Sequence, residues 1–297
     1  IVKTTSSLNN KQTTILVTGA NGQMGNELQM LAPEFADYHF LFVSKEDLNI
    51  ADASTLENYF SEHEIDYCIN CAAFTAVDKA ESEKENAFLI NATAVASLAA
   101  VCNKNNAQLI HISTDYVFDG TAKQPYKETD KTNPVSVYGK SKLQGEELAM
   151  QNAPSTIIIR TAWLYSSFKA NFVKTMLRLM KEKESINVVS DQFGCPTYAA
   201  DLATAIMQII TSNQSKINPG IYHFSNAGIT NWYEFAVAIK TLTGSSCVVN
   251  PITTAAYPTA AKRPAYSVLD ITKIKSTFGI TIPAWEESLK KCLDLLK

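Results

Sequence analysis

Thr13-Thr-Ile-Leu-Val-Thr-Gly19-Ala-Asn-Gly22-Gln-Met-Gly25 decides the fold. The first six residues are an apolar, β-branched run of the kind that forms a buried parallel strand. The glycines then predict a tight turn into a helix over Gln23–Leu31, which must stop before Pro33. Glycine at 19, 22 and 25 lets the backbone approach a ligand closely, so that a pyrophosphate can rest on the helix N-terminus. A spacing of two and two varies the commoner one-and-two dinucleotide pattern. A plain strand–helix turn is the alternative that the later motifs must defeat.

Outward from this stretch, strand and helix patterns alternate. Strands are expected at Tyr38–Val43, Asp66–Asn70, Ala107–Ser113 and Thr156–Arg160. Helices are expected at Ala53–His63 and Lys84–Asn103, with another opened by Pro134. Buried-type strands alternating with helices predict an α/β fold, a Rossmann-type doubly wound parallel sheet with helices on both faces. After Arg160 the rhythm is irregular. Asn171–Lys183, Pro196–Thr211, Trp232–Thr243 and Trp285–Leu296 read as helices, and Ile221–Ser225 as a returning strand. The expected division is a dinucleotide-binding domain over 13–165, with about 195–226 folding back onto it. A smaller, mainly substrate-binding C-terminal lobe then covers 166–297.

Bulk properties narrow the function. The chain has 297 residues, is 46% hydrophobic and 19% charged, and carries a net charge of −3. No basic face is visible, which argues against nucleic acid. No apolar run approaches the roughly 20 residues of a membrane span. Six cysteines in a chain this long do not suggest a disulfide scaffold. Cys68-Ile-Asn-Cys71 has redox or metal spacing but lies in an expected buried strand, so it reads as core. Asn91-Ala-Thr93 matches a glycosylation sequon, yet nothing else implies secretion, and a cytoplasmic location is expected. Ile1–Gln12 is polar, lacks an apolar signal core and reads as a loose extension.

The end of the second strand should select the coenzyme, because an acid there binds a ribose 2′-hydroxyl and a base a 2′-phosphate. Ser44-Lys45 leans towards NADPH, while Glu46-Asp47 leaves NADH open. Tyr138 and Lys142, at i and i+4, share one helix face. A nearby ammonium, together with the positive charge of an oxidised nicotinamide ring, is expected to bring the phenol, ordinarily near 10, towards working pH. Tyr138 would then give a proton to a carbonyl oxygen as hydride reaches its carbon. Thr114, at the end of a strand, is placed to hydrogen-bond that oxygen. Tyr165 and Lys169 have the same spacing but follow a strand in a Ser-rich loop, and read as incidental.

The glycine turn, Ser113-Thr114 and Tyr138-x-x-x-Lys142 together resemble the extended short-chain dehydrogenase/reductase superfamily. Within it, five segments resemble the dTDP-4-dehydrorhamnose reductase family: Ile112-Ser-Thr-Asp-Tyr-Val-Phe-Asp-Gly120, Asn70-Cys-Ala-Ala-Phe-Thr-Ala-Val-Asp78, Arg160-Thr-Ala-Trp163, Gln192-Phe-Gly-Cys-Pro-Thr197 and Arg263-Pro264. That resemblance implies reduction of the 4-keto group of dTDP-4-dehydro-β-L-rhamnose by NADPH or NADH. It implies Thr114, Tyr138 and Lys142 as the catalytic set, and Thr114, Asp115 and Trp163 as nucleotide-sugar contacts. Coenzyme contacts are implied at Gly22, Gln23, Met24, Ser44, Asn49, Ile50, Ala73, Phe74, Thr75, Tyr138 and Lys142. Asn49 replaces a frequent Asp, and Cys71 a usual Ala. Some relatives bind Mg²⁺ at a homodimer interface through scattered glutamates, and Glu27 resembles one such position, although no metal site assembles from this sequence.

Three other readings stay open. A 4,6-dehydratase typically needs Asp-Glu after the threonine, whereas Thr114 precedes Asp115-Tyr116. A 4-epimerase is not excluded by spacing. A non-catalytic subunit resembling the β subunit of methionine adenosyltransferase would bind NADP without turnover, but it would not need Thr114, Tyr138 and Lys142 retained together.

Overall fold

Six parallel strands form the central sheet of the computed structural model: β1 (Thr13–Thr18), β2 (Tyr38–Val43), β3 (Tyr67–Asn70), β4 (Gln108–Thr114), β5 (Ile157–Thr161) and β6 (Gly220–Phe224). Their order, β6-β5-β4-β3-β1-β2, reverses direction at β1. That reversal opens a crevice at the carboxyl ends of the strands. The structure describes residues 12–212 and 214–297, so the reading of Ile1–Gln12 as an extension lies, Gln12 apart, outside the described residues.

The sheet is covered on both faces because alternate side chains of each strand point to opposite sides. Ile15, Val17, Ile69 and Ile110 pack with Leu28 of helix Gln23–Leu31 and with Leu202, Ile206 and Ile209 of helix Ala199–Thr211. On the other face, Leu16, Cys68 and Leu109 meet Leu56, Phe60, Val95, Leu98 and Ala149. A separate core holds the later chain together: Tyr165, Val173, Met176, Phe235, Ile239, Trp285 and Leu289. The expected doubly wound α/β architecture is therefore present, and Gly220–Phe224 returns to the sheet beside β5.

Several boundaries differ from the sequence expectation. Pro134 does not open the helix that carries Tyr138; Ser136 does, its hydroxyl accepting from Gly139 N, and the helix runs Val137–Asn152. Pro196 is likewise outside its helix, because Thr197–Tyr198 is drawn into a parallel pair with Leu164–Tyr165. Elements that went unread include helix Thr272–Phe278 and the parallel pair Ser185–Val189 with Val248–Ile252. The paired strands lie about sixty residues apart, and no local pattern announces such a partner.

Helix Lys84–Lys104 is the one described helix long and apolar enough to cross a membrane by length and composition, an exception to the expectation from apolar runs. Here Val95, Leu98, Ala99 and Cys102 are buried in the core. Its ladder widens into a π turn over Leu89–Thr93. Asn91 in that turn is fully buried, accepting from Phe74 N at 2.8 Å and donating to Phe74 O and Ser141 Oγ, each at 3.0 Å. The sequon is thus an internal clamp. It joins the loop after β3 to the helix of Tyr138, where a Cβ on Gly145 would lie 2.0 Å from Asn91 O.

Candidate active site

Each sequence-derived site residue lies at or just beyond the carboxyl end of a strand, or on the helix facing those ends. At β1, Gly19 adopts φ +67°, and a Cβ there would meet Ala72 N at 2.7 Å. Only glycine fits this conformation in that space. Gly25 serves packing instead, since its Cβ would lie 2.5 Å from Ala20 Cα. Gly22 is the N-cap of Gln23–Leu31, with no side-chain cap and no acidic residue in the first turn. Backbone N–H groups and the helix dipole there suit an anion.

A cleft of about 450 Å³ beside this turn gathers Gly19, Gly22, Ser44, Asn49, Ile50, Ala73 and Phe74. Lys45, Glu46, Leu48, Asn86 and Ile90 also line it, as do Asn21, Cys71 and Ala72. Asn86 and Ile90 were missed by sequence reasoning because they reach the cleft from a helix. The residues therefore fit a dinucleotide, with the bare helix end for phosphate and a partly apolar cleft for the nucleoside. Other expected contacts are placed differently. Met24 is buried in the core, and Gln23 Oε1 accepts from Asn171 Nδ2 of the second lobe at 3.1 Å. Thr75 is exposed.

Thr114 ends β4, its hydroxyl 3.0 Å from Asp115 Oδ1 and accepting from Tyr116 N. Tyr138 stacks edge-on against Tyr116, with ring centroids 5.6 Å apart. Burial pushes the Tyr138 phenol up to about 12, against the Thr114 hydroxyl, and the charge of Asp115 adds to the rise. The expected lowering joined Lys142 to the charge of an oxidised nicotinamide, and Lys142 by itself does not produce it in the free chain. The Lys142 ammonium is turned towards Ile112 O, at 2.6 Å. Burial brings Lys142 down to about 8, opposed by Glu146. A phenol that keeps its proton at neutral pH is nevertheless the form a proton donor needs.

Asp115 is buried, and its Oδ2 has no hydrogen-bond partner. Burial pushes its carboxyl up to about 6, with the nearby Ser267 and Thr114 hydroxyls opposing. The folded state therefore holds this proton more tightly than the unfolded chain. Stability falls as pH rises from about 4 to 6 and is level above. Asp115→Asn should accordingly be more stable than wild type at pH 7, by at most about 3 kcal/mol, with the gain vanishing below about pH 4. Urea unfolding across pH 4–8 measures it.

Trp163 takes a left-handed φ of +49°, and its ring stacks on Trp232 with centroids 3.6 Å apart. Gly194 permits the fit, since a Cβ there would lie 2.6 Å from the indole. One face of Trp163 is thus already covered by Trp232. Arg263 pairs with Asp78 through both terminal guanidinium nitrogens, at 3.1 and 2.7 Å. Tyr165 is in a strand and buried in the second core, so it shares no helix face with Lys169.

The remaining candidates carry little chemistry. Cys68 is buried in β3, and burial pushes the Cys71 thiol up to about 12, so neither is poised as a thiolate. Glu27 is buried, accepts from Ser166 Oγ at 2.6 Å, and is raised by burial. No group of three or more His, Cys, Asp or Glu side chains converges on a metal position among the described residues.

Comparison with known proteins agrees with this geometry. Residues 13–297 match the family described as RmlD substrate binding domain. The dTDP-4-dehydrorhamnose reductase of Aggregatibacter actinomycetemcomitans is 42% identical, the match covering 93% of this chain and 97% of that one. A crystal structure of such a reductase from Clostridium acetobutylicum superposes with a TM-score of 0.91 at 43% identity, covering 95% of this chain and 99% of that one. One from Bacillus anthracis, in complex with NADP, also gives 0.91, at 38% identity over 95% and 99% of the two chains. The chain belongs to the dTDP-4-dehydrorhamnose reductase family.

Proposed function

We propose that the protein reduces the 4-keto group of dTDP-4-dehydro-β-L-rhamnose to give dTDP-β-L-rhamnose, with Tyr138 as proton donor. The observation that supports this reading is the family match over residues 13–297, in a chain that sets Tyr138 one helical turn before Lys142 and edge-on to Tyr116, next but one after Thr114. NADPH or NADH supplies the hydride when bound. Thr114 donates a hydrogen bond to the ketone oxygen, and the Tyr138 hydroxyl transfers its proton to that oxygen as it becomes an alcohol. Asp115 and Trp163 orient the sugar. Residues 13–165, with about 195–226, hold the coenzyme, and the rest of 166–297 closes over the nucleotide sugar. Charged nucleotide substrates accord with a cytoplasmic location, and the family resemblance with a homodimer.

The test is loss of reduced-nicotinamide absorbance on adding dTDP-4-dehydro-β-L-rhamnose, with the product identified. Oxidation yielding dTDP-rhamnose is expected; bound coenzyme without turnover overturns the reading. Coenzyme choice rests on the cleft wall, where Lys45 and Glu46 lie side by side. Lys45→Glu should lower kcat/KM for NADPH relative to NADH about tenfold or more, the ~1.5–3 kcal/mol of one charged hydrogen bond. Initial rates with both coenzymes decide it.

A further inference from the structure

His111 is fully buried in β4, and neither ring nitrogen reaches solvent. Its Nδ1 lies 3.0 Å from Asn70 Nδ2, and its Nε2 lies 3.3 Å from Lys142 Nζ. The orientation of Asn70 is set by its surroundings. Its Oδ1 receives the backbone N–H of Ala72 at 3.2 Å and the Thr18 hydroxyl at 2.7 Å. A backbone N–H can only donate, so the amide oxygen must face Ala72 and the amide NH₂ must face His111. Nδ1 is then the acceptor, and a neutral imidazole carries its hydrogen on Nε2, aimed at Lys142.

We infer that His111 is a positioning residue for Lys142: fixed by Asn70 as the Nε2–H tautomer, it donates to Lys142 Nζ and stabilises the uncharged amine. An ammonium has no lone pair for that donor, whereas the amine accepts from His111 and still donates to Ile112 O, 2.6 Å away. The other groups facing Lys142 are Glu146 from its own helix, tied up by Arg160, and Cys71 from the loop after β3. Burial and Lys142 itself hold His111 well below the usual imidazole range, which keeps the ring neutral. Burial already brings the Lys142 ammonium down to about 8, and the His111 donor acts in the same direction. The inference rests on the catalytic reading of Tyr138 and Lys142 for its consequence in turnover, though not for the tautomer.

The experiment has two readouts. Long-range ¹H–¹⁵N spectra of the imidazoles in the coenzyme-free protein at pH 7, with His111→Gln to assign the signal, report which nitrogen is protonated. Hydrogen on Nε2 alone is expected; hydrogen on Nδ1, or on both, overturns the inference without reference to activity. Asn70→Asp keeps the acceptor for Ala72 but draws the imidazole hydrogen to Nδ1, turning the Nε2 lone pair towards Lys142. The alkaline limb of kcat/KM should then move up by about one pH unit, tenfold in proton concentration. An unmoved limb with a switched tautomer would refute the effect on Lys142. Turnover surviving Tyr138→Phe would instead refute the catalytic reading and leave the spectrum to judge the tautomer.

Discussion

Tyr138→Phe should lower kcat for reduction of the 4-keto sugar by about 10²–10⁴, the usual contribution of a positioned proton donor. The ring is half-buried against Tyr116, so removing one oxygen leaves its packing intact. Coenzyme binding should survive the change, since the cleft that holds Ser44, Asn49 and Phe74 is left as it is. The loss should therefore fall on kcat more than on KM, as expected for an interaction made chiefly in the transition state. Steady-state rates, with coenzyme binding followed by fluorescence, separate the two effects. A variant that keeps wild-type kcat would remove Tyr138 from the chemistry.

Arg160→Leu should destabilise the fold by about 3–5 kcal/mol, because it strands a buried carboxylate. Arg160 and Glu146 are both about 2% exposed, and the guanidinium meets the carboxylate at 2.9, 3.1 and 2.6 Å. Ser113 Oγ donates to the same carboxylate at 2.5 Å, so one ion pair ties β5, the helix of Lys142 and the residue before Thr114. With the arginine gone, Glu146 has one hydroxyl and one lysine to face in an apolar setting. Pairing Arg160→Leu with Glu146→Leu should recover most of the loss, since the desolvation of both charges disappears. Urea midpoints of the two single variants and the double variant measure this. Equal losses in single and double variants would show that Arg160 acts through its packing on the Phe118 ring, 5.1 Å away.

Some of this was legible in the chain because it is local. The apolar run ending at Gly19 has one good backbone solution, and Gly19 indeed takes φ +67°. Helix Trp232–Thr243 was read to the residue because Asn231 caps its start and Gly244 takes the left-handed turn at its end. Tyr138 and Lys142 were legible as a pair because four residues make one helical turn. Their charges were not. In the free chain burial raises Tyr138, and Lys142 Nζ is engaged by Ile112 O and His111, both distant in sequence.

The order of apolar strands, glycine turns and helical stripes by itself determined a doubly wound sheet, with Thr114 at a strand end and Tyr138 on a helix. Those signals are short-ranged, and they follow from backbone sterics and side-chain periodicity. Only the tertiary structure decided that Asn91 is a clamp and not a sequon, and that Trp163 stacks on Trp232. It alone decided that His111 stands between Asn70 and Lys142. Each of these depends on burial and on a partner dozens of residues away, and protonation and hydrogen-bond roles are set by that surrounding, not by residue type.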